Sequence, residues 1–135
     1  MNNISNEFIK TFFGGNIKLG QVTFKTDNMQ PCIDACVKCA QACWESFSLC
    51  LEEPDVEGRK NCISLLVQCA GTCQCSAAIM SMSGSISKVF SQMCAQICLA
   101  CAEECSKYED DYTQICADIC TRCAEECSIM IADGK

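Results

Sequence analysis

The stretch CADICTRCAEEC, from Cys116 through Cys120 and Cys123 to Cys127, carries four cysteines at intervals of four, three and four residues. Thiolate sulfur is a soft donor and a strong nucleophile, so such a set points to soft-metal binding or thiol redox chemistry. The spacing recurs at Cys32, Cys36, Cys39 and Cys43, and again at Cys94, Cys98, Cys101 and Cys105. A degenerate copy keeps Cys62, Cys69 and Cys73 and has Leu66 in the remaining place. In all four copies alanine follows the third cysteine, at Ala40, Ala70, Ala102 and Ala124. Intervals of three and four place side chains along one stripe of an α-helix.

Four helices with such stripes must turn them inward. The predicted fold is all-α, an antiparallel up-down-up-down four-helix bundle with a cysteine-lined core. The first helix is expected from Pro31, a residue that suits a first helical turn, to about Glu53, before Pro54. Asp55 is expected to cap a second helix reaching Met82. Ser83-Gly84-Ser85 breaks the chain and offers a cap for a third helix near 86–108. The acidic run from Lys107 to Tyr112 connects to a fourth, ending near Ala132. Residues 1–28 are expected to form an irregular arm with one helical turn near Glu7 to Phe13, whose Phe8, Phe12, Phe13 and Phe24 pack on the bundle or a neighbouring subunit. Residues 29–135 form the bundle domain. Sixteen of the 17 cysteines, Cys50 among them, fall on heptad a or d positions; Cys75 does not. The charged residues Lys38, Glu103, Glu104, Lys107, Asp118, Arg122, Glu125 and Glu126 fall outside the stripes, as a solvated face does.

Composition removes several function classes. A net charge of -7 excludes a general nucleic-acid binder, which needs a basic face. No stretch is expected to reach the ~20 apolar residues of a membrane span. Histidine is absent, so the commonest general base is missing and no enzymatic activity is expected. A disulfide scaffold fits poorly: the cysteine count is odd, the spacing is helical, and no secretory or twin-arginine signal is visible. Free thiols in a reducing cytoplasm are expected instead.

Cysteine can serve as a small core hydrophobe, but sixteen together are costly. Each buried methylene given up relative to leucine forgoes roughly 0.8 kcal/mol. At one or two methylenes per site, the total exceeds the ~5–15 kcal/mol by which a domain is stable. Metal binding would offset it. Zinc in four tetrahedral four-sulfur sites would leave eight buried negative charges, with no cation in the central stripe positions to balance them. One Cu(I) per thiolate leaves the core neutral, and two-coordinate Cu(I) needs only two sulfurs. Multiple Cu(I) ions per chain are therefore expected, with zinc storage as the rival metal. Iron–sulfur ligation fits poorly, because cluster cysteines wrap the cluster from loops. A dithiol redox protein would need only one CxxC pair, such as Cys120 and Cys123, and leaves the repetition unexplained.

These repeats resemble the bacterial copper storage proteins over about residues 29–131, most closely in CAQICLACAEEC and CADICTRCAEEC. The resemblance implies a Cu(I)-filled four-helix bundle that forms homo-oligomers and admits copper at one end of each protomer. Copper chaperones and cuproenzymes are the partners this implies. Cytosolic members often carry histidines around the connection between the third and fourth helices; Tyr108-Glu109-Asp110-Asp111-Tyr112 stands there in this chain. Leu66 and Ser46 interrupt the stripes.

Antiparallel packing sorts the remaining residues between two ends. Cys50, Cys62, Cys105 and Cys116 share one end, where Trp44, Phe47, Leu51, Tyr108 and Tyr112 are expected to form the closure. At the other, Met29, Met80 and Met130 extend the stripes beside Cys32, Cys36, Cys94 and Cys127, with Met82 and Met93 close by. Thioether sulfur holds Cu(I) without losing a proton, so these methionines are expected to line a transfer site at the mouth; filling an apolar end is their plainer use. Cys75, near Gln68, Thr72 and Ile79, is expected to pack against the arm or a subunit. Gly71 is read as a point of close backbone approach.

Overall fold

The computed structural model describes residues 28–82 and 84–132; the N-terminal arm and its aromatics, Ser83 and the last three residues lie outside the described residues. Four α-helices follow in order: α1 Gln30–Leu51, α2 Lys60–Met82, α3 Ser87–Cys105 and α4 Asp111–Ala132. Among the described residues α1 packs on α2 and α4, and α3 packs on the same two, which closes a four-helix square. At 19 to 23 residues each helix is about 30 Å long.

Each helix buries its predicted stripe. Sixteen of the cysteines are buried and Cys75 is exposed. The alanines after the third cysteines are buried too, so the buried face of each helix is small and the bundle can close tightly. Where cysteine is missing from the stripes the substitutes are buried too: the small Ser46, Ser76, Ser91 and Thr113, and the larger Leu66. By hydropathy alone, the segment Val56–Met82 is long and apolar enough to cross a membrane, contrary to the expectation above. Much of that hydropathy comes from Cys62, Cys69 and Cys73, and these point into the core with no exposed surface.

The helix ends differ from the expected ones. Helix α1 stops at Leu51, where the Glu52 N–H bonds back to the Leu49 carbonyl and the Glu53 N–H to that of Cys50. Asp55 does not cap a long helix. It precedes a short 3₁₀ turn, Val56–Arg59, without a side-chain capping bond, and its carboxylate accepts from Arg59 Nε at 2.8 Å. Helix α3 starts behind Ile86, also uncapped by a side chain, and ends at Cys105 rather than 108. Two of the other expectations change. A Cβ at Gly71 would meet nothing within 4 Å, so among the described residues this glycine marks no close approach. Glu104 is 7% exposed rather than solvated, and Lys107 Nζ reaches it at 3.0 Å one helical turn later.

Candidate metal centre

The four stripes meet along the bundle axis as a column of sulfur. Near the middle, Cys39 Sγ lies 3.8 Å from Cys69, 3.9 Å from Cys98 and 3.6 Å from Cys120. Towards one end Cys73 lies 3.5 Å from Cys94 and 3.6 Å from Cys98, and Cys36 lies 3.5 Å from Cys94 and 3.7 Å from Cys123. Cys32 and Cys127 approach to 3.0 Å beyond them. Towards the other end the contacts run through Cys43 to Cys116, and through Cys101 and Cys105 to Cys62.

Three sets of four sulfurs lie within 4.8 Å of one another: Cys36, Cys94, Cys123 and Cys127; Cys39, Cys73, Cys98 and Cys123; Cys39, Cys43, Cys69 and Cys120. Cys123 belongs to the first two sets and Cys39 to the last two. Successive sites would therefore share thiolates and form a continuous chain. Three divalent ions on those ten thiolates would bury four uncompensated negative charges, whereas one monovalent ion per thiolate buries none.

The sulfurs are already one another's hydrogen-bond partners. An S–H donated from Cys127 favours the Cys32 thiolate and lowers that group to about 5, against the cost of burial. A bond from Cys105 likewise brings Cys101 down to about 6. Burial instead pushes Cys50 up, opposed by Tyr112 and Arg59. A thiol network of this kind can lose protons stepwise as cations replace them.

The two ends of the column differ. Met29, Met80 and Met130 are buried at one, as the stripe pattern requires. The buried Ser91 hydroxyl lies 3.4 Å from Met80 Sδ and 3.5 Å from Met130 Sδ. Sequence reasoning passed over Ser91, although its place four and three residues from Ser87 and Cys94 puts it on the α3 stripe. Met82 and Met93 are exposed and contribute nothing to this interior.

The far end is closed by a buried charge together with aromatic side chains. Trp44 and Leu51 stand at the surface, 37% and 50% exposed. Arg59 is buried instead. It bonds Asp55 and Asp110, lies 3.3 Å from Tyr112 Oη and 3.9 Å from Cys50 Sγ, and sits 4.5 Å from the Tyr108 ring centroid. Tyr112 Oη donates to Glu53 at 2.7 Å and also reaches Cys50 at 3.8 Å. Of the five residues expected at this end, Phe47, Tyr108 and Tyr112 are partly buried and pack against the core, whereas Trp44 and Leu51 do not belong to it.

The guanidinium holds the Asp110 carboxyl below its ordinary value. A depressed folded-state value adds stability that is present above the unfolded value, near 3.9, and is lost as pH falls through the folded one. Replacing Asp110 with Asn should therefore cost about 2 kcal/mol of copper-free stability at pH 7, as loss of a charged hydrogen bond does. The gap between wild type and variant should shrink below pH ~4. Urea unfolding of the reduced protein across pH measures both, and a gap that stays constant into acid would contradict the pairing.

Comparison with known proteins places this arrangement. The sequence profile of the family described as copper storage protein matches residues 25–132. The Bacillus subtilis (strain 168) cysteine-rich protein YhjQ is 39% identical over 83 residues, covering 62% of this chain and 77% of the relative. A Cu(I)-bound copper storage protein, BsCsp3, superposes with a TM-score of 0.75 at 37% identity, covering 78% of this chain and 99% of that one. A cytosolic copper storage protein from Streptomyces lividans, solved with five coppers, gives a TM-score of 0.76 at 32% identity, covering 79% and 94%.

Proposed function

This chain belongs to the copper storage protein family, and on that premise we propose that it stores and buffers several Cu(I) ions as thiolate complexes inside the bundle. The observation that carries the reading is the sharing of Cys39 and Cys123 between adjacent four-sulfur sets. Shared thiolates suit a monovalent soft ion that tolerates two or three ligands, and they let metal pass along the column by ligand exchange. The ligands are the sixteen buried cysteines, with Met29, Met80 and Met130 as the transfer site that receives copper. Ser91 supports that role by holding two of the thioether sulfurs in place. Each ion that enters displaces a thiol proton.

The chain acts as a store rather than an enzyme, working in the cytosol like its Streptomyces lividans relative. Copper chaperones and cuproenzymes fit as donors and recipients of the metal. Val37, Trp44 and Leu51 recur every seven residues on α1 and remain 56%, 37% and 50% exposed, a stripe that suits association with further copies of the chain.

Anaerobic titration of the reduced protein with Cu(I), followed by thiolate-to-copper absorption, tests the reading. Absorption should rise well beyond four ions per chain, with protons released throughout. Saturation at four or fewer would defeat the storage reading, and four tightly held zinc ions would favour the divalent rival.

A further inference from the structure

Building on the copper-storage reading, we propose that Arg59 fills a cation seat at the Cys50 end of the sulfur column and closes that end to metal ions. Around its guanidinium stand the Asp55 and Asp110 carboxylates, the Tyr112 phenol oxygen, the Cys50 thiol and the face of the Tyr108 ring. Oxygen, sulfur and π-face are the groups that bind a cation, and here a protein cation already occupies their centre. Its side chain is only 6% exposed, so the seat is filled rather than merely bordered.

The closure joins three parts of the chain. Arg59 sits on the turn between α1 and α2, Cys50 lies at the end of α1 with Glu53 just beyond it, and Tyr108, Asp110 and Tyr112 come from the connection into α4 and its first turn. A metal ion reaching Cys50 from this side would have to displace a guanidinium held by two carboxylates. Displacing it is costly, because the nearly buried guanidinium would give up charged hydrogen bonds to both carboxylates, one of them to the half-buried Asp110. Among the described residues nothing comparable guards the opposite end. There Met29, Met80 and Met130 present neutral soft donors, and Ser91 is the polar group that touches the thioethers of Met80 and Met130. An arriving Cu(I) ion meets a seat already filled by an ion-paired guanidinium at one end and thioether sulfur at the other.

Thiol alkylation of the reduced, copper-free chain tests the plug without any copper chemistry, so its outcome stays separate from that of the storage reading. The informative variant is Arg59→Met, which keeps an apolar stem of similar reach and loses the charge. Iodoacetamide labelling with peptide mass mapping should show Cys50 reacting about tenfold faster than in wild type, as expected for an end released from local closure. Cys32 and Cys127, at the far end, should keep their wild-type rates, and Cys75 should label quickly in both proteins. Arg59→Lys returns a positive charge to the seat and should recover much of the protection.

Three results would overturn the proposal. One is a variant, folded by circular dichroism, in which Cys50 stays as protected as in wild type. Another is uniform acceleration of all core thiols, which would make Arg59 a general stabiliser rather than a local plug. The third is a lysine variant as open as the methionine one, which would remove charge as the cause.

Discussion

Loading with Cu(I) should raise the thermal unfolding midpoint of this bundle by at least ~20 °C, since each kcal/mol gained shifts the midpoint of a domain this size by about 4 °C. The physical basis is linkage. A ligand held at a hundredfold excess over its dissociation constant, and bound only by the folded state, adds ~2.7 kcal/mol per site. Two such sites already meet the figure, and the column offers three overlapping four-sulfur sets. The apo bundle starts from a weak position, because its core is built from cysteine, serine and alanine where leucine would bury more surface. Binding of copper by the unfolded chain's thiols would reduce the gain but not cancel it, since that chain must first gather its ligands. Scanning calorimetry of the reduced apo and anaerobically loaded forms makes the comparison. A shift of only a few degrees would mean that copper does not enter the core.

That core was legible from spacing because the chemistry and the fold share one periodicity. A cysteine every three or four residues states both which face is buried and what it can bind, so sixteen buried thiols followed from the pattern alone. Arg59 was not legible for the opposite reason. Its partners at 50, 108, 110 and 112 lie on two other segments, and nothing in the sequence around Glu57-Gly58-Arg59 marks a charge that will be buried. Glu104 shows the same limit more mildly. It lies outside the a and d positions yet is covered as α3 packs against its neighbours. The helix ends shifted where connections had a structure of their own, above all at the 3₁₀ turn that takes over the residues expected to begin α2. Periodicity specifies the wall of the container, whereas the stopper depends on contacts distant in sequence.

An asymmetric container predicts an asymmetric kinetic defect. Replacing Met29, Met80 and Met130 with leucine should slow copper uptake by about tenfold, the effect of ~1.4 kcal/mol lost from the rate-limiting transfer. Final capacity should stay unchanged. Leucine conserves volume closely enough to keep the end packed, while removing the buried thioethers beside Cys32 and Cys127. The thiolates that set capacity lie deeper and remain intact. Stopped-flow absorption under a fixed Cu(I) supply reads the rate, and titration reads the plateau. Wild-type uptake in the triple variant would rule out a thioether mouth. Adding Arg59→Met to that variant then separates the two ends: if the guanidinium is what closes the other one, uptake should recover through Cys50, while the thioether end stays slow.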